Sequence, residues 1–367
     1  MSIQSSDLFL VNRGGVNYKI AYNDLLAGTG VLSTDVIMVQ RGGELYELSY
    51  ADLGISGPIL QSTDFVLVER GTELYSQRIN GQLISAGAYV DLTVNVSGAS
   101  NQSQIIKFGW TGGRQINGVP PQIVNAYNGK VAFFGSFGDV TLDADFCGRT
   151  PSVRVYGQFD EIRFNGSTGL VSCQCSTRSA AGWASIIPNP GPKMGLEMFD
   201  SCALLTGIDS FIPLRDMTRM FRLCRVFNDA NASSLDTSQV KSMRDCFNSC
   251  YRFNQALGSW NTSSVEEMTG MFINCEAFDR NINNWATGNV TTFDSMFLNC
   301  KAFDNPIYLW DTSSVVSFGM NKMFFGATVF NRDLKNWCVS VIPNKPSQFS
   351  DNSALTQANE PIWGTCP

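Results

Sequence analysis

Eleven cysteines and no histidine define the chemistry open to this 367-residue chain. Without imidazole, the commonest general base, the commonest neutral metal ligand and both Ser-His-Asp and Cys-His catalysis are closed to it. Five of the cysteines, Cys202, Cys224, Cys250, Cys275 and Cys300, stand three residues after a phenylalanine, and the same slot further on holds Ala327. A slot that takes Cys or Ala is a small buried position, so these thiols are expected to be reduced and packed, behaving as small hydrophobes. A zinc ladder would need four converging ligands and a local C-x2-C pair, which the spacing does not supply. No metal or other cofactor is therefore expected. Cys338 and Cys366 differ, because they bracket a segment without repeats. Free thiols or a disulfide closing that segment both remain open there.

Two acidic pairs, Asp160-Glu161 and Glu266-Glu267, could be asked to act as glycosidase carboxylates. Neighbours on a strand point to opposite faces, and paired acids on a repeat surface are usually solvated. The glycine-rich FGWTGG at 108–113 could be asked to cradle phosphate, but no helix opening with Lys-Ser/Thr follows it. Turn chemistry is the expectation, and an enzyme is not.

The elements around these residues repeat. DTSQVKSMRDCFNSCYRFNQALGSW (236–260), NTSSVEEMTGMFINCEAFDRNINNW (261–285) and ATGNVTTFDSMFLNCKAFDNPIYLW (286–310) are each 25 residues, with a looser copy at 211–235 and a 27-residue copy ending at Trp337. A fixed period of this size predicts a solenoid, each unit burying its apolar face on its neighbours. Val240, Val265, Val290 and Val315 form one column, Phe247, Phe272, Phe297 and Phe324 another, and Trp260, Trp285, Trp310 and Trp337 a third. Packing is the first reading of the Trp column, and an exposed aromatic binding stripe the second. Met243, Cys246, Phe247 and Cys250 fall at i, i+3, i+4 and i+7, which predicts one face of a short helix. Asp236-Thr237-Ser238 and Asn261-Thr262-Ser263 offer acceptors for a turn or helix start.

Between the core columns the polar residues change most from copy to copy: Gln239, Lys241 and Arg244, then Ser264, Glu266 and Thr269, then Asn289, Thr291 and Asp294. Equivalent positions of stacked coils lie side by side, so these nine are the candidate binding surface.

A second repeat opens the chain: DLFLVNRGGVNYKIAYNDL (7–25), DVIMVQRGGELYELSYADL (35–53) and DFVLVERGTELYSQRINGQL (64–83). Apolar run, glycine turn and alternating run predict a β-hairpin in each copy. The three hairpins could pack as a small β-prism or pair between chains, and their turns, Arg13-Gly14, Arg41-Gly42 and Arg70-Gly71, are the candidate attachment points. Alternating stretches then predict a β-sandwich, whose later strands could already stack as the first coils. The fold class is thus mainly β with short helices. Its divisions are hairpin repeats at 1–85, a β-sandwich-like domain at 86–178, a Pro/Gly-rich connector at 179–197, an α/β solenoid of leucine-rich-repeat type at 198–337 and a cap at 338–367.

The net charge of −6 and the lack of Lys/Arg clusters argue against nucleic acid as a partner. No window approaches the roughly 18 apolar residues that span a bilayer, so no membrane insertion is expected. The start MSIQSSDLFL lacks the layout of a secretory signal, and synthesis in a cytoplasm is expected.

The pattern W-x-T-S-x-V-x-x-M-x-x-M-F-x-x-C-x-x-F-N-x-x-L-x-x-W over about 198–337 resembles the BspA-type leucine-rich-repeat surface proteins of bacteria and marine phages. The ending NWCVSVIPNKPSQFSDNSALTQANEPIWGTCP resembles the terminal cap of phage members, and the D-x-x-x-V-x-R-G repeats resemble those that open structural proteins of cyanobacterial phages. The resemblance implies a phage virion structural protein exposed on the particle, its first repeats joining other virion proteins and its solenoid meeting a host surface protein or glycan, with homo-oligomers in the virion. Receptor binding as a tail fibre or tail-associated protein leads. Capsid decoration or a head fibre comes next, a bacterial surface adhesin third, and a tailspike hydrolase last.

Overall fold

The computed structural model describes residues 179–367 throughout and, before them, the strands named below together with 112–114, 157–160 and 164–167. In the first part, β1 (Leu8–Arg13) pairs antiparallel with β2 (Val16–Ala21), β3 (Val36–Arg41) with β4 (Glu44–Ser49), and β5 (Phe65–Arg70) with β6 (Glu73–Arg78). Arg13, Arg41 and Arg70 are each the last residue of the first strand of a pair, while Gly14, Gly42 and Gly71 lie outside the described residues. β1, β3 and β5 also pair with one another, and β7 (Gln82–Ser85) pairs with β6, giving one seven-stranded sheet.

Two further sheets follow. One runs in the order β11 (Val131–Phe133), β10 (Gln122–Asn125), β13 (Ser152–Tyr156), β8 (Tyr89–Val94), β15 (Leu170–Cys175) and β16 (Gly207–Ile208). The other is β12 (Gly138–Leu142), β9 (Ile106–Thr111) and β14 (Glu161–Arg163). The segment expected to be a bare connector holds a helix, α1 (Ala180–Ile186), whose N-terminus is capped by the Ser179 hydroxyl. Trp183 and Ile186 bury its inner face, and the Trp183 indole donates to Asp209 Oδ2 at 2.9 Å. The apolar spacing of Trp183, Ile186 and Ile187 carried that signal, but the Pro/Gly content on either side masked it.

From Phe164 onward the chain stacks row upon row. The N–H groups of Met243, Asp245, Phe247 and Ser249 donate to the carbonyls of Glu267, Thr269, Met271 and Ile273 at 2.7–2.9 Å. Those of Met268, Gly270, Phe272 and Asn274 donate in turn to Thr292, Asp294, Met296 and Leu298. The same link joins Phe164 and Gly166 to Met198 and Asp200, so the stacking begins within the segment at 86–178, whose later part the sequence allowed to stack as the first coils.

The predicted helix at 243–250 is instead two linked turns. Cys246 N–H closes on Met243 O and Cys250 N–H on Phe247 O, with Asp245 and Ser249 at positive φ in the third position of each turn. A helix would direct alternate donors to carbonyls four residues back. Here they go to the next row, and tertiary stacking overrides local propensity. The left-handed positions recur four residues apart in seven successive rows: Glu197 and Ser201, Arg219 and Leu223, Asp245 and Ser249, Gly270 and Asn274, Ser295 and Asn299, Lys322 and Gly326, Gln348 and Asn352.

Inside the rows the apolar columns close-pack. Phe199, Phe221, Phe247, Phe272, Phe297 and Phe324 stack with centroids 5.3–5.8 Å apart, Phe227 through Phe330 form a parallel second column, and Trp260, Trp285, Trp310 and Trp337 a third at 6.2–6.3 Å. All four Trp side chains are buried, which corrects the alternative of an exposed aromatic stripe. A disulfide joins Cys338 to Cys366.

Candidate functional site

Three buried polar columns fix the spacing of the rows. Thr237, Thr262, Thr287 and Thr312 each donate a hydroxyl to a carbonyl of the following row, at 2.8–3.0 Å. Each Trp indole N–H donates backward, to Ala232, Leu257, Ile282 and Ile307. The thiols of Cys202, Cys224, Cys250, Cys275 and Cys300 point at the carbonyls of Phe164, Phe199, Phe221, Phe247 and Phe272 at 2.9–3.2 Å. Burial pushes these thiols up, Cys202 to about 12, so they stay protonated donors rather than nucleophiles.

A fourth column was missed by sequence reasoning. The side chains of Asn228, Asn254, Asp279, Asp304 and Asn331 each accept the backbone N–H of the equivalent residue one row on. The recurring Phe-Asn/Asp pair was its signal.

The nine candidate surface residues lie along the outer face of these rows. Lys241 Nζ meets Glu266 Oε1 at 2.8 Å, the Glu266 N–H donates to Lys241 O, and Thr291 donates both its N–H and its hydroxyl to Glu266 O. Val316 N–H continues the line to Thr291 O. This column is therefore contiguous. Gln239 is exposed, but Ser264 and Asn289, in the same column, spend their side chains on Ser238 O and Ser263 O. Arg244 faces Glu267 and Asp245 within 4 Å, and Thr269 bonds to Thr292.

Asp294 is half-buried, and its Oδ1 is buried without a hydrogen-bond partner. Burial holds its carboxyl above the ordinary value, with Lys322 and Arg244 pulling the other way. The outer face thus splits into residues that tie rows together and residues that are open to a partner.

The open set includes apolar residues that were not singled out from the sequence. Val316 and Val341 are exposed, and Phe318 is 78% exposed. The 27-residue copy carries two extra residues, and the row bonds place them at Ser317 and Phe318, between Val316 N–H to Thr291 O and Phe293 N–H to Gly319 O. Row pairing forces the extra residues outward. The longer period was the available signal.

The other chemical candidates are engaged. Asp160 pairs with Arg114 across the FGWTGG turn, in which Gly112 has φ +63° and an added Cβ would strike the Asp160 carboxylate. Glu161 accepts the Lys193 N–H beside a cavity of about 130 Å³ lined also by Ile162, Arg163, Leu196 and Glu197. Arg163 and Glu197 are themselves paired, with Asp139 and Arg219. Glu266 and Glu267 face Lys241 and Arg244. Among the described residues, no three His, Cys, Asp or Glu side chains converge to hold a metal, and no helix is long and apolar enough to cross a membrane.

Row-on-row bonding with recurring buried donors and a variable outer face defines a repeat-stack protein. In agreement, residues 215–337 and 281–365 match the model of a family described as "Mycoplasma protein of unknown function, DUF285". That match is compatible with the BspA-type surface-repeat family. No curated protein and no solved structure matches the chain.

Proposed function

We propose that the chain is a bacteriophage virion structural protein whose stacked repeats form a solenoid that displays a recognition surface, with binding to a host receptor as a tail fibre or tail-associated protein. The carrying observation is the contrast within each row. The buried Thr and Trp donors repeat the same residue type, while the adjoining outer column runs Lys241, Glu266, Thr291 and Val316, exposed throughout and different at every step. A spacer needs the first property only, whereas a recognition surface needs both. The D-x-x-x-V-x-R-G hairpins support attachment to other virion proteins, and the resemblance of the repeats supports a place on the particle surface. No enzymatic step is assigned.

The test exchanges charges without loosening the rows. Lys241→Glu with Glu266→Lys preserves the ion pair and reverses the display. Particles carrying this chain should assemble normally and adsorb to host cells at a changed rate. Unchanged adsorption would favour the second reading, capsid decoration, and locating the chain on the head of imaged particles would settle it. A bacterial surface adhesin is the third reading.

A further inference from the structure

We propose that residues 338–367 are a redox-set end cap, in which the Cys338–Cys366 disulfide holds the last row of the stack closed and its reduction releases that row alone. The disulfide encloses the segment that carries this row: Lys322, Phe324 and Gly326 donate their N–H groups to Ser347, Phe349 and Asp351 inside the loop. Beside the bridge, Val339 N–H reaches Thr365 O and Gly364 N–H reaches Ile342 O, so the two ends of the loop are zipped where the sulfurs meet. Trp363 packs edge-on against Phe349, which packs edge-on against Phe324, and Glu360 accepts from Lys345 and Ser350. The cap thus terminates the aromatic column, and the bridge anchors its far end to Cys338, next to Trp337.

Access separates this sulfur pair from the others. Cys366 is exposed and Cys338 half-exposed, whereas Cys202, Cys224, Cys246, Cys250, Cys275 and Cys300 are buried. Thiol–disulfide exchange requires a thiolate and access to the sulfur, so among these cysteines only the bridge can respond to its surroundings. The step is closed by exchange with a low-molecular-weight disulfide: two protein thiols lose two electrons and two protons to form the S–S bond, and the small disulfide is cleaved to two thiols. A segment that opens apart from its neighbours is a local unfolding unit, and the row at 347–351, bonded to the row at 322–326, is the one the bridge encloses.

The test uses the full chain, oxidised with glutathione disulfide or reduced with a phosphine, followed by hydrogen exchange read by mass spectrometry. Reduction should raise exchange in 339–365 at least tenfold and leave 240–300 unchanged, and Cys338→Ser with Cys366→Ser should behave as reduced protein in either condition. A non-reduced digest should show Cys338 linked to Cys366 after oxidation. Failure of that link to form, unchanged exchange in 339–365, or an equal rise across 240–300 would each overturn the proposal. So would maleimide labelling of Cys275 as fast as Cys338 in the reduced native protein.

Discussion

The Thr237-to-Thr312 column and the Lys241-to-Val316 column run side by side up the same stack, yet one keeps a single residue type and the other changes it at every step. Each threonine is buried and donates to one fixed carbonyl, so only a short hydroxyl of that reach satisfies the site. The outer column is held through backbone groups, Glu266 N–H to Lys241 O and Thr291 N–H to Glu266 O, which any residue except proline provides. Between these two columns, the residue type repeats where the side chain makes the bond between rows and varies where the backbone makes it.

The sharpest way to test the contrast is to empty the interior. Phe272→Ala should cost about 3–5 kcal/mol in chemical denaturation, because a buried ring stacked on both neighbours leaves a cavity. The loss should spread to adjacent rows in hydrogen exchange, since rows share one core. Thr262→Val keeps the shape and strands the Ala286 carbonyl, for an expected loss of about 1–3 kcal/mol. Gly270→Ala should cost about 1 kcal/mol or more, since φ is +63° and the new Cβ would meet Asp245 Oδ1 and Ile273 Cδ1.

Smaller effects follow from charge. Hydrogen bonds from Ser238 and Ser313 hold the Asp236 and Asp311 carboxyls below their ordinary 3.8. Their contribution is present above that value and is lost as pH falls through the lower folded values. Asp294 has the opposite sign: its raised carboxyl costs stability at neutral pH, and the cost is relieved in acid. Asp294→Asn should raise the melting temperature at pH 7 and lose that advantage near pH 3, whereas Asp311→Asn should not. Least of all, Lys241→Ala should change stability by about 0.5 kcal/mol or less, because both partners of its ion pair are exposed. A large loss there would erase the distinction between the two columns.

The period, the buried columns and the small cysteine slot were legible because each depends on side-chain size or type. The turn geometry of 243–250 was not. Spacing i, i+3, i+4, i+7 is shared by a helix and by two linked turns whose third residues are left-handed, and residues such as Leu223 and Lys322 give no local sign that they adopt positive φ. The surface was legible as a face but not residue by residue. Ser264, Asn289 and Thr291 look like open polar groups in the sequence, and only the neighbouring row reveals the carbonyl each one serves. Phe318 reads as one more core aromatic until the two-residue excess of its copy is placed by the row bonds.

The row bonds give the stack an electrical direction. In an ordinary sheet the strand dipoles nearly cancel. Here four N–H groups per row, such as those of Met243, Asp245, Phe247 and Ser249, point the same way, and one, that of Glu266 toward Lys241, points back. The aligned peptide dipoles add along the stack as they do along a helix, but with the positive end toward the C-terminus. The two ends of the stack are thus unlike poles, and the buried Glu360 carboxylate lies near the pole that favours an anion.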